Sequence, residues 1–450
     1  MEARLEKKYG LFTAIAMVVG IVIGSGVFFK AEKILTATGG DLKQGILAWV
    51  IGGLIMISCA YTFSVMATKY QYVNGIVDYA EATVGKKYAY YVGCFMAFIY
   101  YPTITSVLAW VSARYTSVIF GFSITGGECM TIACLYLVTS FTLNALSPVL
   151  AGKFQVSTTI IKLIPLFLMA VVGTFTGLKN GMTLYNFTHA VAPSTTNGLF
   201  TAVVAACFAY EGWIIATCIN AELKNAKKNL PLALISGTVI TMAAYILYYI
   251  GLAGTVKNEV IMAGGEAGAK LAFQTVFTSI GGNLLFVFVI ISCLGTLNGL
   301  MLGCTRGIYS IAARGLGPKP KVFSQVDPTT NMPVNSAILG LFLCGIWLFY
   351  FYGANLTDTW FGFFSFDSSE LPIVTVYALY IPIFVMLMVK GKELNFVNRF
   401  FMPILSLAGC IFMIVAAWFA HGMAVVAFLI VFFVVMAFSA LLLHRGKTEA

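Results

Sequence analysis

Charge is scarce in this chain. Asp, Glu, Lys and Arg together make up 10% of its 450 residues, where soluble domains carry roughly 25%, and no polar stretch is long enough to form a separate soluble domain. Histidine is scarcer still: His189, His421 and His444 are the only three. They fall in loops or at a helix end, away from any carboxylate at metal-ligand spacing, and surface roles are expected for them. Ten cysteines are present, but CxxC spacing is absent, nine of them lie in apolar runs and Cys129 begins a helix. Neither a disulfide framework nor a zinc site is expected. HExxH, GxSxG and any cluster of carboxylates or histidines at a common depth are also missing, which argues against a membrane enzyme. So is the polar stripe through several helices that an ion channel needs. No catalytic residue, metal or cofactor is expected.

What fills the chain is apolar. Hydrophobic residues make up 60% and the mean hydropathy is +0.92, arranged in runs of about 17–25 residues, the length a helix needs to cross a bilayer. Twelve spans are read, starting near Leu11, Gly45, Ala89, Met130, Phe154, Gly198, Pro231, Gly282, Val334, Ser368, Phe401 and Met423. An all-α integral membrane protein surrounded by lipid bilayer is expected. Met1 to Gly10 carries Arg4, Lys7 and Lys8, and no small-residue cleavage site follows, so the first helix is expected to stay in place. The net charge of +10 would suit nucleic acid, but the basic residues are scattered over short loops, where charge instead sets topology. No nucleic-acid partner is expected. Eighteen of the 27 basic residues fall on the side of the N-terminus and six on the other, while Arg114, Lys162 and Arg306 lie within spans. The positive-inside rule then puts both termini in the cytoplasm. The longest connection on the other side runs from GTVKNEV through GGEAGAKLAFQTVF and reads either as two short surface helices around Gly264-Gly265 or as a plain loop.

One spanning helix is weaker than it needs to be. In GIVIGSGVFFK, Gly20, Gly24 and Gly26 flank Ser25, and each glycine costs a helix roughly 1 kcal/mol relative to alanine. Gly20 and Gly24 alone would make an ordinary packing seam. Gly24-Ser25-Gly26 adds backbone that tolerates a non-helical path, which survives at membrane depth only inside protein or along a cavity. Helix six, GLFTAVVAACFAYEGWIIATCINAELKN, carries Glu211-Gly212 at the matching distance from its start. Interrupted helices at corresponding positions of two halves point to a transporter built of inverted repeats, with its site where the breaks meet. Such a break frees N–H groups at the start of its second half and carbonyls at the end of its first. A zwitterion fits both. Ser25 and Gly26 would offer N–H groups to a carboxylate, and Val22, Phe208 and Glu211 would offer carbonyls to an ammonium, with Ile23, Gly24 and Ala209 completing the site. Phe208, Tyr210 and Trp213 are candidates for a gate, Phe208 foremost because it sits at the break. The Glu211 carboxylate reads either as a site group or as one turned toward cytoplasmic water. Arg306 and Arg314 read as snorkelling to the interface. Lys162, deep in helix five within STTIIKLIPLF, costs about 2.5–3.5 kcal/mol to insert and is a functional candidate for that reason.

The stretches IVIGSGVF, FAYEGW, NAELKN and GTLNGLMLGCTRGIYSIAARG, in this order, resemble the amino acid–polyamine–organocation superfamily, specifically bacterial relatives of the L-type amino-acid transporters. The resemblance runs from about Leu11 to about Lys390. It implies the leucine-transporter fold with broken helices one and six, and sodium-independent movement of amino acids, commonly by exchange. It also implies that Lys162 supplies the charge that sodium brings between helices one, five and eight in sodium-coupled members of the fold. Ser292 and Thr296, one turn apart, would accept from its ammonium. Two features depart from the family: MATKYQYVNGIVDYAEATVG lacks its acidic residue and paired glycines, and Glu211 stands where many relatives have glycine or aspartate. The expected organisation is a cytoplasmic tail 1–10, a first five-helix repeat 11–178, a second repeat 198–391, helices eleven and twelve 399–444, and a tail 445–450. The expected function is alternating-access exchange of small or medium neutral L-amino acids across the cell membrane. Proton-coupled symport, or a preference for cationic amino acids that Glu211 would complement, stays open, as does a partner subunit.

Overall fold

The computed structural model describes residues 10–24, 26–70, 75–357 and 360–448. Helices dominate, and no β-strand forms among the described residues. Among the described residues, twelve segments are long and apolar enough to cross a membrane. They are α1 (Leu11–Phe28), α2 (Leu42–Lys69), α3 (Lys86–Phe120), α4 (Gly127–Leu146), α5 (Val149–Lys179) and α6 (Gly198–Thr217), followed by α7 (Ala226–Ala253), α8 (Val287–Ala312), α9 (Val334–Leu356), α10 (Leu371–Lys390), α11 (Val397–His421) and α12 (Met423–Leu443). Their starts lie within a few residues of those read from hydropathy. Helices run past the hydrocarbon into the interface, so the apolar run and the helix end at different points.

Two spans are interrupted. The first half of α1, Leu11–Val22, stops where Ile23 turns extended (φ −72°, ψ 98°), and the helix resumes as Gly26–Ala37. In α6, Gly198–Ala209 ends in a turn at residues 210–212 and continues as the tighter 3-10 helix Trp213–Glu222. Ahead of α8, the helix Asn258–Ala312 has non-helical dihedrals at Gly265, Phe277 and Thr278. The connection there is thus two short helices, residues 258–264 and 266–276, and not a plain loop.

Burial sorts the spans by position. Protein covers 94% of the spanning window of α3 and only 17% of that of α12, so α3 is an axis of the bundle and α12 a rim helix with most of its surface left for lipid. The two halves of α1 diverge: the first packs on α7 and the second on α6, while α8 packs on both α3 and α5. Where α5 meets α7 the backbones touch, and a Cβ on Gly173 would lie 2.5 Å from the Gly251 carbonyl oxygen. In lipid, such close packing supplies the attraction that hydrophobic burial supplies in water. Within α3, Pro102 has no N–H to offer the Phe98 carbonyl four residues earlier. The Trp347 indole of α9 donates to that carbonyl at 2.9 Å. A π-helical turn, Met96–Tyr100, precedes this point; such turns re-aim side chains and recur at functional sites.

Call the side from which α1 starts the near face. Arg314, just beyond α8 on this face, does not snorkel. Its guanidinium donates to Asp78, to Glu81 at 3.0 Å and to the Ser310 carbonyl at 2.7 Å, which ties α8 to the short helix Gly75–Thr83 between α2 and α3. The departing segment noted in the sequence therefore brings its own carboxylates. The Asp78 side chain is 2% exposed, so removing Arg314 strands a buried charge. A second near-face pair, Lys69 with Glu393, is far more open to solvent. Arg314→Ala is expected to destabilise the protein by about 3 kcal/mol, and Lys69→Ala by about 0–1 kcal/mol. Thermal unfolding of the purified protein in detergent, read by size-exclusion fluorescence, checks the order; equal shifts would refute it.

Candidate functional site

The two breaks face one another at the centre of the bundle. A cavity there is lined by Ile21, Val22, Gly24 and Gly26 of α1, Ile104 and Leu108 of α3, Phe208, Ala209, Glu211 and Gly212 of α6, and Thr296 and Leu300 of α8. Glycine is required at two of these points. A Cβ on Gly26 would lie 2.5 Å from Ala209 Cα and 2.9 Å from Ala209 Cβ, so any side chain there would drive the two breaks apart. Gly212 has φ +107°, a conformation that disfavours side chains, and its Cα side meets Ile21.

An interrupted helix leaves carbonyls that must find donors, and here neighbouring side chains supply them. Lys162, fully buried in α5, donates to the Gly20 carbonyl and, at 3.3 Å, to Thr296 Oγ1. Thr296 in turn donates to the Ile23 carbonyl at 3.4 Å, and Ser292 to the Gly24 carbonyl at 3.4 Å. Ser292 thus serves the helix break directly, where the sequence reading had it accepting from Lys162. The hydroxyl of Tyr245 on α7 reaches both breaks, 2.8 Å from the Val22 carbonyl and 3.1 Å from that of Ala209. Its ring stacks on Tyr210 at 5.1 Å between centroids and meets Trp49 edge-on.

Glu211 does not face cytoplasmic water. Its side chain is buried, its Oε1 accepts from the hydroxyl of Tyr100 at the end of the π-helical turn of α3, and its Oε2 has no hydrogen bond. On the far face, Phe208 is roofed by charge. Lys30 Nζ lies 4.3 Å from the Phe208 ring centroid and 2.6 Å from Glu370 Oε1, which Lys33 also approaches at 2.6 Å. This joins the second half of α1 to the start of α10. His421, read as a surface residue, is only 12% exposed and sits 3.0 Å from Glu370 Oε2.

Of the residues singled out in the sequence, Val22, Gly24, Gly26, Phe208, Ala209, Glu211 and Thr296 share the cavity lining. Ile23 takes part through its carbonyl only, and Ser25 lies outside the described residues. Tyr210 and Trp213 stand away from the lining: the first donates to the Trp49 carbonyl at 3.1 Å and the second packs on Phe63 and Tyr380. The sequence reading missed Ile21 on α1, Ile104 and Leu108 on α3, and Leu300 on α8. The four-residue spacings, Ile104 to Leu108 and Thr296 to Leu300, were a usable signal, since each pair shares a helix face. Tyr245, Lys30 and Glu370 carried none.

Comparison with known proteins agrees with this architecture. A family model for amino acid permeases matches residues 9–440. The serine/threonine exchanger SteT of Bacillus subtilis (strain 168) is 29% identical over 418 residues, covering 91% of each chain. The human b(0,+)-type amino acid transporter 1 is 25% identical, over 77% of this chain and 74% of its own. The glutamate/serine transporter AimA of Bacillus subtilis (strain 168) is 24% identical, over 78% of this chain and 67% of its own. Among solved structures, that of MhsT in complex with L-phenylalanine aligns with a TM-score of 0.59 at 14% identity, over 96% of this chain and 99% of that one, which establishes a shared fold. The chain therefore belongs to the amino acid permease family of the amino acid–polyamine–organocation superfamily, as a twelve-span membrane transporter of the leucine-transporter fold and not an enzyme.

Proposed function

We propose that the protein is a sodium-independent exchanger of small or medium neutral L-amino acids, working by alternating access in the cell membrane with both termini cytoplasmic. One observation carries the reading: the buried Lys162 ammonium, held by the Gly20 carbonyl and Thr296 where α1, α5 and α8 meet. A fixed cation at that junction stands in the place of a coupling ion. The Lys162 ammonium braces the break by donating to a carbonyl of α1 and a hydroxyl of α8. AimA is named for serine as well as glutamate, and the name of SteT, a serine/threonine exchanger, supports exchange and small neutral cargo. So does the cavity wall, which is mostly apolar apart from Glu211 and Thr296. The two five-helix repeats are assigned to 11–178 and 198–391, and the excess of basic residues on the near face supports its cytoplasmic orientation.

Glu211 favours a second reading, a carrier preferring cationic amino acids, because its carboxylate would complement a distal positive charge. Lysine or arginine out-competing alanine and serine, with that preference lost in Glu211→Gln, would establish it.

The site role of the α1 break is tested by Gly26→Val. The added side chain collides with the Ala209 backbone, and substrate binding is expected to be lost in a direct binding assay on protein that still elutes as a single species. Saturable exchange of unchanged affinity would remove the break from the site.

Coupling is tested in proteoliposomes. Exchange is expected to be the same in sodium and in choline and to respond only weakly to an imposed pH gradient. Lys162→Ala is expected to slow exchange by about tenfold or more while the dissociation constant changes by less than about threefold, the pattern of a residue used in translocation more than in binding. Uptake into substrate-free vesicles that appears only with an acidic exterior, and vanishes in Lys162→Ala, would establish proton symport instead.

A further inference from the structure

Two of the three carbonyls expected to take an ammonium, those of Val22 and Phe208, already accept one hydrogen bond each, as do their neighbours in the breaks. The carbonyls of Val22 and Ala209 share the Tyr245 hydroxyl, those of Ile23 and Gly24 accept from Thr296 and Ser292, and that of Phe208 accepts the Glu211 N–H at 3.1 Å. One carboxylate oxygen in the cavity lining accepts no hydrogen bond. Glu211 is 7% exposed, its Oε1 is taken by Tyr100, and its Oε2 is buried without a hydrogen bond, although the Gly212 N–H faces the same carboxylate. Glu211 forms no ion pair among the described residues. It is also the only acidic residue in the described lining.

We propose that Glu211 is the anchor for the α-ammonium group of the substrate, with Oε2 accepting its N–H while the substrate carboxylate lies at the start of the second half of α1. This rests on the amino-acid transport proposed above and assigns the cavity wall to the substrate side chain. A carboxylate buried without a cation is costly, and an arriving ammonium offsets that cost with a charge-assisted hydrogen bond, about twice as strong as one to a neutral carbonyl. The site then demands an α-ammonium and leaves the side chain to Ile104, Leu108 and Leu300. A cationic side chain finds its only carboxylate already occupied, so lysine and arginine gain nothing over alanine.

The test compares L-alanine with L-lactate, which replaces the ammonium by a hydroxyl at nearly the same size, as competitors of counterflow in proteoliposomes. The label is whichever amino acid the wild type exchanges fastest. Wild-type exchange of no amino acid at all would refute the transport reading itself. Given exchange, the wild type is expected to favour alanine over lactate by roughly a hundredfold or more, and Glu211→Gln to shrink that ratio by at least about tenfold for every neutral amino acid and its hydroxy acid. Glu211→Asp, which keeps the charge, is expected to retain most of the preference and serves if the amide variant does not fold. An alanine-to-lactate ratio that survives in Glu211→Gln, or a loss confined to lysine and arginine, would overturn the assignment in favour of backbone carbonyls or of side-chain recognition.

Discussion

A helix that stops inside a membrane exposes backbone groups to a medium that cannot hydrogen-bond them, at a cost of several kcal/mol for each group left unsatisfied. That constraint organises the centre of this protein. Because α1 ends at Val22 and resumes at Gly26, carbonyls from Gly20 to Gly24 need donors, and three helices supply them: α5 through Lys162, α7 through Tyr245, and α8 through Thr296 and Ser292. These side chains make the break tolerable, and in doing so they fix which helices surround it. The cavity is the space the arrangement leaves between the two breaks.

Charge follows the same logic with two different outcomes. At the faces of the bundle, buried charges meet opposite charges: Glu370 with Lys30 and Lys33, Asp78 with Arg314. Around the cavity they do not. Lys162 is held by a carbonyl and a hydroxyl, and Glu211 by a phenol. The paired groups tie elements together across the fold. A charge satisfied only by neutral dipoles keeps its field available to a ligand or to a second conformation, and intramembrane charges of this kind mark substrate paths.

The glycines divide by task. Gly173 and Gly251 let α5 and α7 touch along their backbones, the ordinary use of small residues in lipid. Gly26 and Gly212 instead let one break lie against the other, with Ala209 under Gly26 and Ile21 under Gly212. Only the second pair defines the site.

Hydropathy by itself determined the twelve spans, because the bilayer demands about 20 apolar residues whatever a helix packs against. Glycine and acidic interruptions determined where α1 and α6 break, because those residues weaken a helix locally. The buried Lys162 was legible for a different reason, the cost of inserting a lysine at membrane depth, which marks it as a functional candidate beside the alternative of a structural buried pair. The tertiary structure alone decided what serves the breaks. Tyr245 is one tyrosine in an apolar run full of them, and its role depends on α7 passing within 3.1 Å of two carbonyls. Lys30 and Glu370 lie 340 residues apart in the chain, and Arg314 read as a snorkelling residue, until packing set each beside its partner. Span length and helix breaking are local properties of the chain, whereas hydrogen-bond partners across a bundle are set by which helices come to lie side by side.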